Sequence, residues 1–232
     1  MSRFILVTMM VAVTVAGCDR FPDNGLQIAA NLPPDSSCEV DADQDTRLAR
    51  GLYDISLQRD YVLALLLQSY IISNALEFQG EQGNLQVDNY DITLLLPDRS
   101  AVPLPEGFPN PYRVTTNAVL PAAEGTNVPQ EVGFATGIPA AYQDFIRGFP
   151  SVTLEIRAGG TTAGGFSQRS GPFFWPVEIC DGCLRDCNSE DLCDSCFPGQ
   201  DTWPWCPIPA GRTCENAGAG GTGGGGGGGG TP

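Results

Sequence analysis

Five cysteines fall within seventeen residues in "CDGCLRDCNSEDLCDSC", from Cys180 to Cys196. Cys180-x2-Cys183 and Cys193-x2-Cys196 have the two-knuckle spacing of a tetrahedral zinc thiolate site. A Cys-x-x-Cys pair is also the core of thiol–disulfide exchange centres. In an oxidising compartment the same cluster becomes a set of disulfides. A second group that could do chemistry is the carboxylates Asp54, Asp60, Asp88, Asp91 and Glu155, the raw material for paired acid–base work on glycans. The chain has no histidine and no lysine. That excludes a Ser-His-Asp or Cys-His pair, a Schiff-base lysine, a phosphate-loop lysine and a histidine metal ligand.

Compartment decides what the thiols become, and the first residues set the compartment. Arg3 gives a short positive start, and Phe4 to Ala16 form an apolar run of thirteen. That is shorter than the roughly 20 residues a helix needs to span a bilayer, and it has the form of a signal peptide over residues 1–17. Val15-Ala16-Gly17-Cys18 resembles the lipobox of bacterial lipoproteins. The resemblance implies cleavage before Cys18, a diacylglycerol on its thiol and an acyl chain such as palmitate on its new amino group. Asp19 resembles the inner-membrane retention signal of enteric lipoproteins, but sorting rules differ between bacterial groups, so the leaflet stays open. The lipid on Cys18 is the only attached group expected, with no other cofactor.

Nine cysteines are present, and spending Cys18 on lipid leaves an even eight. For an exported chain the expectation is four intramolecular disulfides among Cys38, Cys180, Cys183, Cys187, Cys193, Cys196, Cys206 and Cys214, and no metal. Connectivity is not readable from spacing. Cys38 stands alone on the N-terminal side, so its partner is expected within 180–214. That bond would close a loop of at least 142 residues, worth roughly 5 kcal/mol by chain entropy. Glu178, Asp181, Asp186, Glu190, Asp191 and Asp194 surround the cluster against Arg185 alone. They disfavour the stable thiolates of a catalytic cysteine, although they would assist a cation. Trp175, Trp203 and Trp205 are expected to pack against these disulfides rather than serve as a ligand platform.

Those groups must be positioned by the rest of the chain. Residues 18–48 are polar and turn-rich and read as the lipidated N-terminus and a tether. Within them "DADQDT" imitates a calcium loop, but Thr46 and Leu52 stand where the loop needs glycine and glutamate. From about residue 49 a period of two sets in. Tyr53, Ile55 and Leu57 alternate with polar residues, as do Val152, Leu154, Ile156 and Ala158, and Tyr112, Val114, Thr116, Ala118 and Leu120 share one parity. The run 61–72 is apolar on both parities and reads as a central strand, with a helix as the alternative. The run 85–97 changes parity between Val87 and Tyr90, the mark of a bulge. "AGGTTAGG" over 158–165 reads as a hairpin, and 139–148 as one short helix. The expected fold is an all-β, immunoglobulin-like antiparallel β-sandwich of about seven strands over residues 49–179. A disulfide-rich segment follows at 180–214, and then a glycine-rich tail at 215–232 that cannot fold.

Without residues 1–17 the chain has 11 arginines against 27 acids, a net charge of −16. Nucleic acid is excluded as an expected partner, because its phosphates would be repelled. "VAGC", "GLYDISLQRDYVLALLL", "RAGGTTAGGF", "PFFWPVEICDGCL" and "CFPGQD" follow in an order that resembles lipoproteins of myxobacterial-type genomes, over about residues 50–201. The resemblance implies an address and an architecture, not an activity. The expected function is a membrane-anchored cell-envelope lipoprotein. It acts as a non-enzymatic structural or binding module, touching the membrane through its lipid and an envelope protein or glycan through its body. The alternatives are a metal-binding or thiol-redox protein using the cysteine segment, and a carboxylate-based enzyme acting on glycans.

Overall fold

A computed structural model describes residues 25–35, 38–71, 83–124, 126–186, 200–201 and 206–207. The signal segment, Cys18, Cys187, Cys193, Cys196, Cys214, Trp203, Trp205 and the glycine tail lie outside the described residues. The strands are β1 (Leu26–Asn31), β2 (Gly51–Asp54), β3 (Tyr61–Ser69), β4 (Leu85–Leu95), β5 (Tyr112–Leu120), β6 (Gln130–Ile138), β7 (Ser151–Thr162), β8 (Ser167–Arg169) and β9 (Phe173–Cys180). Two further short segments, β10 (Arg185–Asp186) and β11 (Cys206–Pro207), pair in parallel.

The strands build a sandwich. One sheet has the order β1-β3-β6, the other β2-β9-β7-β4-β5, with β8 added to β7. All pairs within them are antiparallel except β2–β9. Strict alternation makes β7 the spine of the larger sheet. Val152, Leu154, Ile156 and Ala158 are buried, and the intervening residues face outward. In β4 the register shifts between Val87 and Asn89, which lets Val87 and Tyr90 both enter the core despite opposite parity. β3 is a strand with Leu63 to Leu67 all buried, as its two-sided apolar run requires. On one side the sheets are tied together directly. The Tyr112 hydroxyl donates to the Gly137 carbonyl, and Thr116 Oγ1 donates to the Phe134 carbonyl at 3.2 Å.

Four features depart from the sequence reading. The sandwich begins at Leu26, inside the supposed tether, because Leu26 and Ile28 bury against β3. The alternation through Tyr53, Ile55 and Leu57 stops at Asp54, whose carboxylate caps the amide of Ser56 and turns Ile55–Leu57 into a 3-10 turn. β6 went unnoticed because its inward positions are Gly133, Ala135 and Gly137, while Phe134 points out. A side chain at Gly133 would collide with the Tyr90 hydroxyl, and one at Gly137 with Leu63. The inward face of β6 is therefore filled by its neighbours. Trp175 does not cover the cysteine segment; it is in the core, stacked with Phe173 and donating to the Tyr61 hydroxyl at 2.9 Å.

The helix expected over 139–148 is a 3-10 turn (Ala140–Tyr142) running into α1 (Gln143–Ile146). It starts where Asp60 accepts the Ala140 N–H at 2.7 Å. No helix among the described residues is long and apolar enough to cross a membrane.

Candidate functional site

The cysteine pair sits over a buried carboxylate. Because β2 runs parallel to β9, Asp54 stands beside Cys180. After β9 the chain turns through Gly182, at φ 89, and wraps around the Asp54 carboxylate. Asp54 is fully buried and accepts the amides of Ser56 at 2.9 Å, Gly182 at 2.8 Å and Leu184 at 2.9 Å, together with the Ser56 hydroxyl at 2.5 Å. Across the same turn Cys180 and Cys183 form a disulfide with Cα atoms 5.9 Å apart. One Asp54 oxygen and both sulfurs lie within 4.8 Å of one another. The donor types suit a soft divalent cation. In this oxidised form, however, the sulfurs are bonded to each other and the carboxylate holds four donors, so the cluster fixes the turn. On reduction, the buried anion would oppose a thiolate at either cysteine.

A second buried polar group comes from the end of the described cysteine segment. Gln200 and Asp201 insert between the two sheets. The Gln200 backbone bridges to Tyr53 of β2. Its side-chain amide accepts the Val62 N–H at 2.6 Å and donates to the Val62 carbonyl at 2.7 Å. Those are the two bonds a neighbouring strand residue would make with β3. Asp201 accepts from the Tyr61 hydroxyl at 2.7 Å and from the Leu52 amide. Burial pushes the Asp201 carboxyl up to about 6, against the opposing pull of those two donors. Desolvation also pushes the Tyr61 hydroxyl well up, with the Asp201 charge adding to it.

The open site lies on the outer face of the larger sheet. There Asp91 of β4, Arg113 of β5, Glu155 and Arg157 of β7 and Arg169 of β8 line a hollow of about 300 Å³ with Thr93, Pro111 and Tyr112. Period-two geometry puts the five charged side chains on the solvent face, and the register brings Asp91 opposite both Arg113 and Arg157. Arg113 grips Asp91 through two bonds, at 2.7 and 3.1 Å. Arg169 also donates to Asp91 Oδ2, at 2.7 Å, sharing that oxygen with Arg113. Arg157 holds Glu155 at 2.8 Å. The Arg113 hydrogen bond, together with the charges of Arg113 and Arg169, holds the Asp91 carboxyl below the usual carboxylate range. Three guanidiniums thus meet two carboxylates in one hollow of an otherwise acidic chain. On the same face Phe174 is exposed beside Glu155, with the Arg99 guanidinium 5.9 Å from its ring centre.

The residues singled out from sequence end in different places. Cys38 and the pair Cys180–Cys183 are disulfide-bonded. Cys206 lies in β11 opposite Arg185. Asp91 and Glu155 come together in the hollow, whereas Asp54 is buried under the disulfide, Asp60 caps the Ala140 turn and Asp88 lies beside Asn89. Sequence reasoning passed over Arg113, Arg157 and Arg169, although the first two have the outward parity of strands it did find. It also passed over Gln200 and Asp201, whose partners are 138 to 149 residues away. No protein-family model matches the chain, and no curated protein matches it.

Proposed function

We propose that the protein is a lipid-anchored lipoprotein of the bacterial cell envelope whose β-sandwich is a non-enzymatic binding module, with the arginine-lined hollow as its binding face. The observation that carries the reading is the meeting of Arg113, Arg157 and Arg169 on Asp91 and Glu155 in an open hollow. Guanidinium forks fit carboxylates in pairs. A ligand carboxylate, from an acidic envelope glycan or an acidic protein segment, would take over bonds now made to Asp91. The "VAGC" segment supports the anchor at Cys18.

The carboxylate-enzyme reading fits the hollow less well. Acid–base hydrolysis of glycans asks one carboxyl to be raised so that it can donate a proton. Here Asp91 is lowered and both acids are held by arginines. The thiol-redox reading has one observation in its favour, the exposed Cys183 of the Cys180–Cys183 disulfide. Against it stand the buried Asp54 and the placement at the end of a strand, where no helix N-terminus lowers a thiol pKa.

The experiment is a capture assay with the acylated full chain and solubilised envelope fractions. The double variant Arg113→Ala/Arg169→Ala should lose at least about ten-fold in ligand retention, the scale of one bidentate ion pair. Retention equal to wild type defeats the binding-face assignment. Cys18→Ser should leave the protein unprocessed or release it from the membrane fraction. Intact mass of unreduced protein should rise by eight hydrogens on reduction, the count for four disulfides; eight free thiols with bound zinc would favour the metal reading instead.

A further inference from the structure

Strand direction gives the sandwich two unlike ends. At one end lie Gly25, just before β1, the end of β3, the start of β4, the end of β5, the start of β6 and the β7–β8 turn. The pairs Leu26–Ser69, Leu85–Leu120 and Leu85–Thr162 fix this arrangement. Five large hydrophobic side chains are exposed among the described residues: Tyr70, Val119, Phe134, Phe166 and Phe174. Three of them, Tyr70, Val119 and Phe166, lie within one residue of a strand terminus at this end. Phe166, at the β7–β8 turn, is 71% exposed.

Charge divides the ends in the same sense. The described loop residues at this end, 70–71, 83–84, 121–124, 126–129 and 163–166, contain one charged residue, Glu124. The connection 72–82 also starts and finishes here; it lies outside the described residues, and its sequence has Glu77 and Glu81. At the opposite end the loops 55–60, 96–111, 139–150 and 181–184 expose Arg59, Asp60, Asp98, Arg99, Glu106, Asp144, Arg147 and Asp181.

We propose that the Gly25 end of the sandwich rests on the bilayer, with Phe166 and Tyr70 entering its interface. The proposal builds on the lipid at Cys18. Six residues lie between Cys18 and Gly25, and the seven steps from one to the other, fully extended, reach at most about 25 Å. β7 alone has 12 residues, about 40 Å from end to end. The charged end therefore lies beyond the reach of the anchor and stays off the membrane. Aromatic side chains are favoured at the headgroup level. A strongly acidic body meets least repulsion from an anionic leaflet through its least charged end. This orientation leaves the arginine-lined hollow on a lateral face, open to a partner in the envelope.

The test uses the acylated full chain in zwitterionic phosphatidylcholine discs, with or without brominated acyl chains. Phe166→Trp is compared with Phe134→Trp, which places the reporter mid-strand on the outer face of the smaller sheet, and wild type supplies the background of the native tryptophans. The added fluorescence of Phe166→Trp should fall by about half or more in brominated lipid, as for an indole at the interface, while that of Phe134→Trp stays within error of its value in plain lipid. In wild type, amide exchange over 163–166 should slow on the disc relative to protein cleaved from its lipid. Equal quenching at both positions, or none at either in protein whose intact mass carries the lipid, overturns the orientation and leaves the anchor standing. An intact mass without lipid overturns the anchor and the orientation with it.

Discussion

Asp201 places a carboxyl where ionisation is costly. Unfolded, it titrates near 3.8; folded, burial moves it to about 6. Below 3.8 both states are protonated and there is no penalty. Between the two values the folded chain keeps a proton that the unfolded chain has lost, so stability falls as pH rises, and above about 6 the loss is complete. About two pKa units amount to about 3 kcal/mol. Asp201→Asn keeps an acceptor for the Leu52 amide and the Tyr61 hydroxyl but cannot ionise. Urea unfolding at pH 4 and pH 7 should therefore show a stability drop in wild type that is smaller in Asp201→Asn by about 2–3 kcal/mol. A drop of the same size in both would mean that the carboxyl is already solvated. Asp54, the other buried acid beside the cysteine segment, holds four donors rather than two.

At the scale of elements, β6 is the instructive strand. Its glycines face inward because other side chains occupy the space. The Tyr90 hydroxyl lies where a side chain at Gly133 would be, and that hydroxyl is buried with only the Thr116 side chain as a weak polar partner among the described residues. Gly133→Ala should therefore destabilise the sandwich by about 2–3 kcal/mol through overpacking. Tyr90→Phe, which removes a poorly satisfied hydroxyl, should change stability by less than about 1 kcal/mol. In the double variant Tyr90→Phe should recover much of the Gly133→Ala loss, a coupling that thermal denaturation of the four proteins measures. Additive losses would place the collision elsewhere. The same reasoning explains which strands were legible in sequence. β7 and β5 announce themselves because side chains of one parity supply the core. β6 does not, because its partners do. β1 is six residues in a turn-rich stretch, and only its pairing with β3 makes it a strand.

At the scale of the whole molecule, the segment after β9 is a seam. Gln200 binds Tyr53 of the larger sheet through its backbone and Val62 of the smaller sheet through its amide, and Cys180–Cys183 and Asp54 fix the start of the same segment. Gln200→Ala leaves the Val62 N–H and carbonyl without these bonds, at a cost of about 1–3 kcal/mol. Amide exchange at Val62 should accelerate, and proteolysis of the segment after residue 186 should quicken, while exchange in the centre of β7 stays at its wild-type rate. Unchanged exchange at Val62 would show that the seam does not depend on this side chain.

The sequence by itself determined the all-β sandwich, the bulge between Val87 and Tyr90, a strand within 61–72, a short helix within 139–148 and a hairpin within 158–165. All follow from local periodicity and turn chemistry, which neighbouring residues encode. It also made Cys180 and Cys183 candidates for disulfides, through the export signal and the even count of eight, but not as partners of each other. Tertiary structure alone decided the rest. The order of the strands, the parallel pairing of β2 with β9, the burial of Asp54 beneath the cysteines and the entry of Gln200 and Asp201 between the sheets join residues more than a hundred positions apart. The arginine-lined hollow likewise exists only once β4, β5, β7 and β8 are in register, because each strand supplies one or two of its charges and no local stretch contains the site.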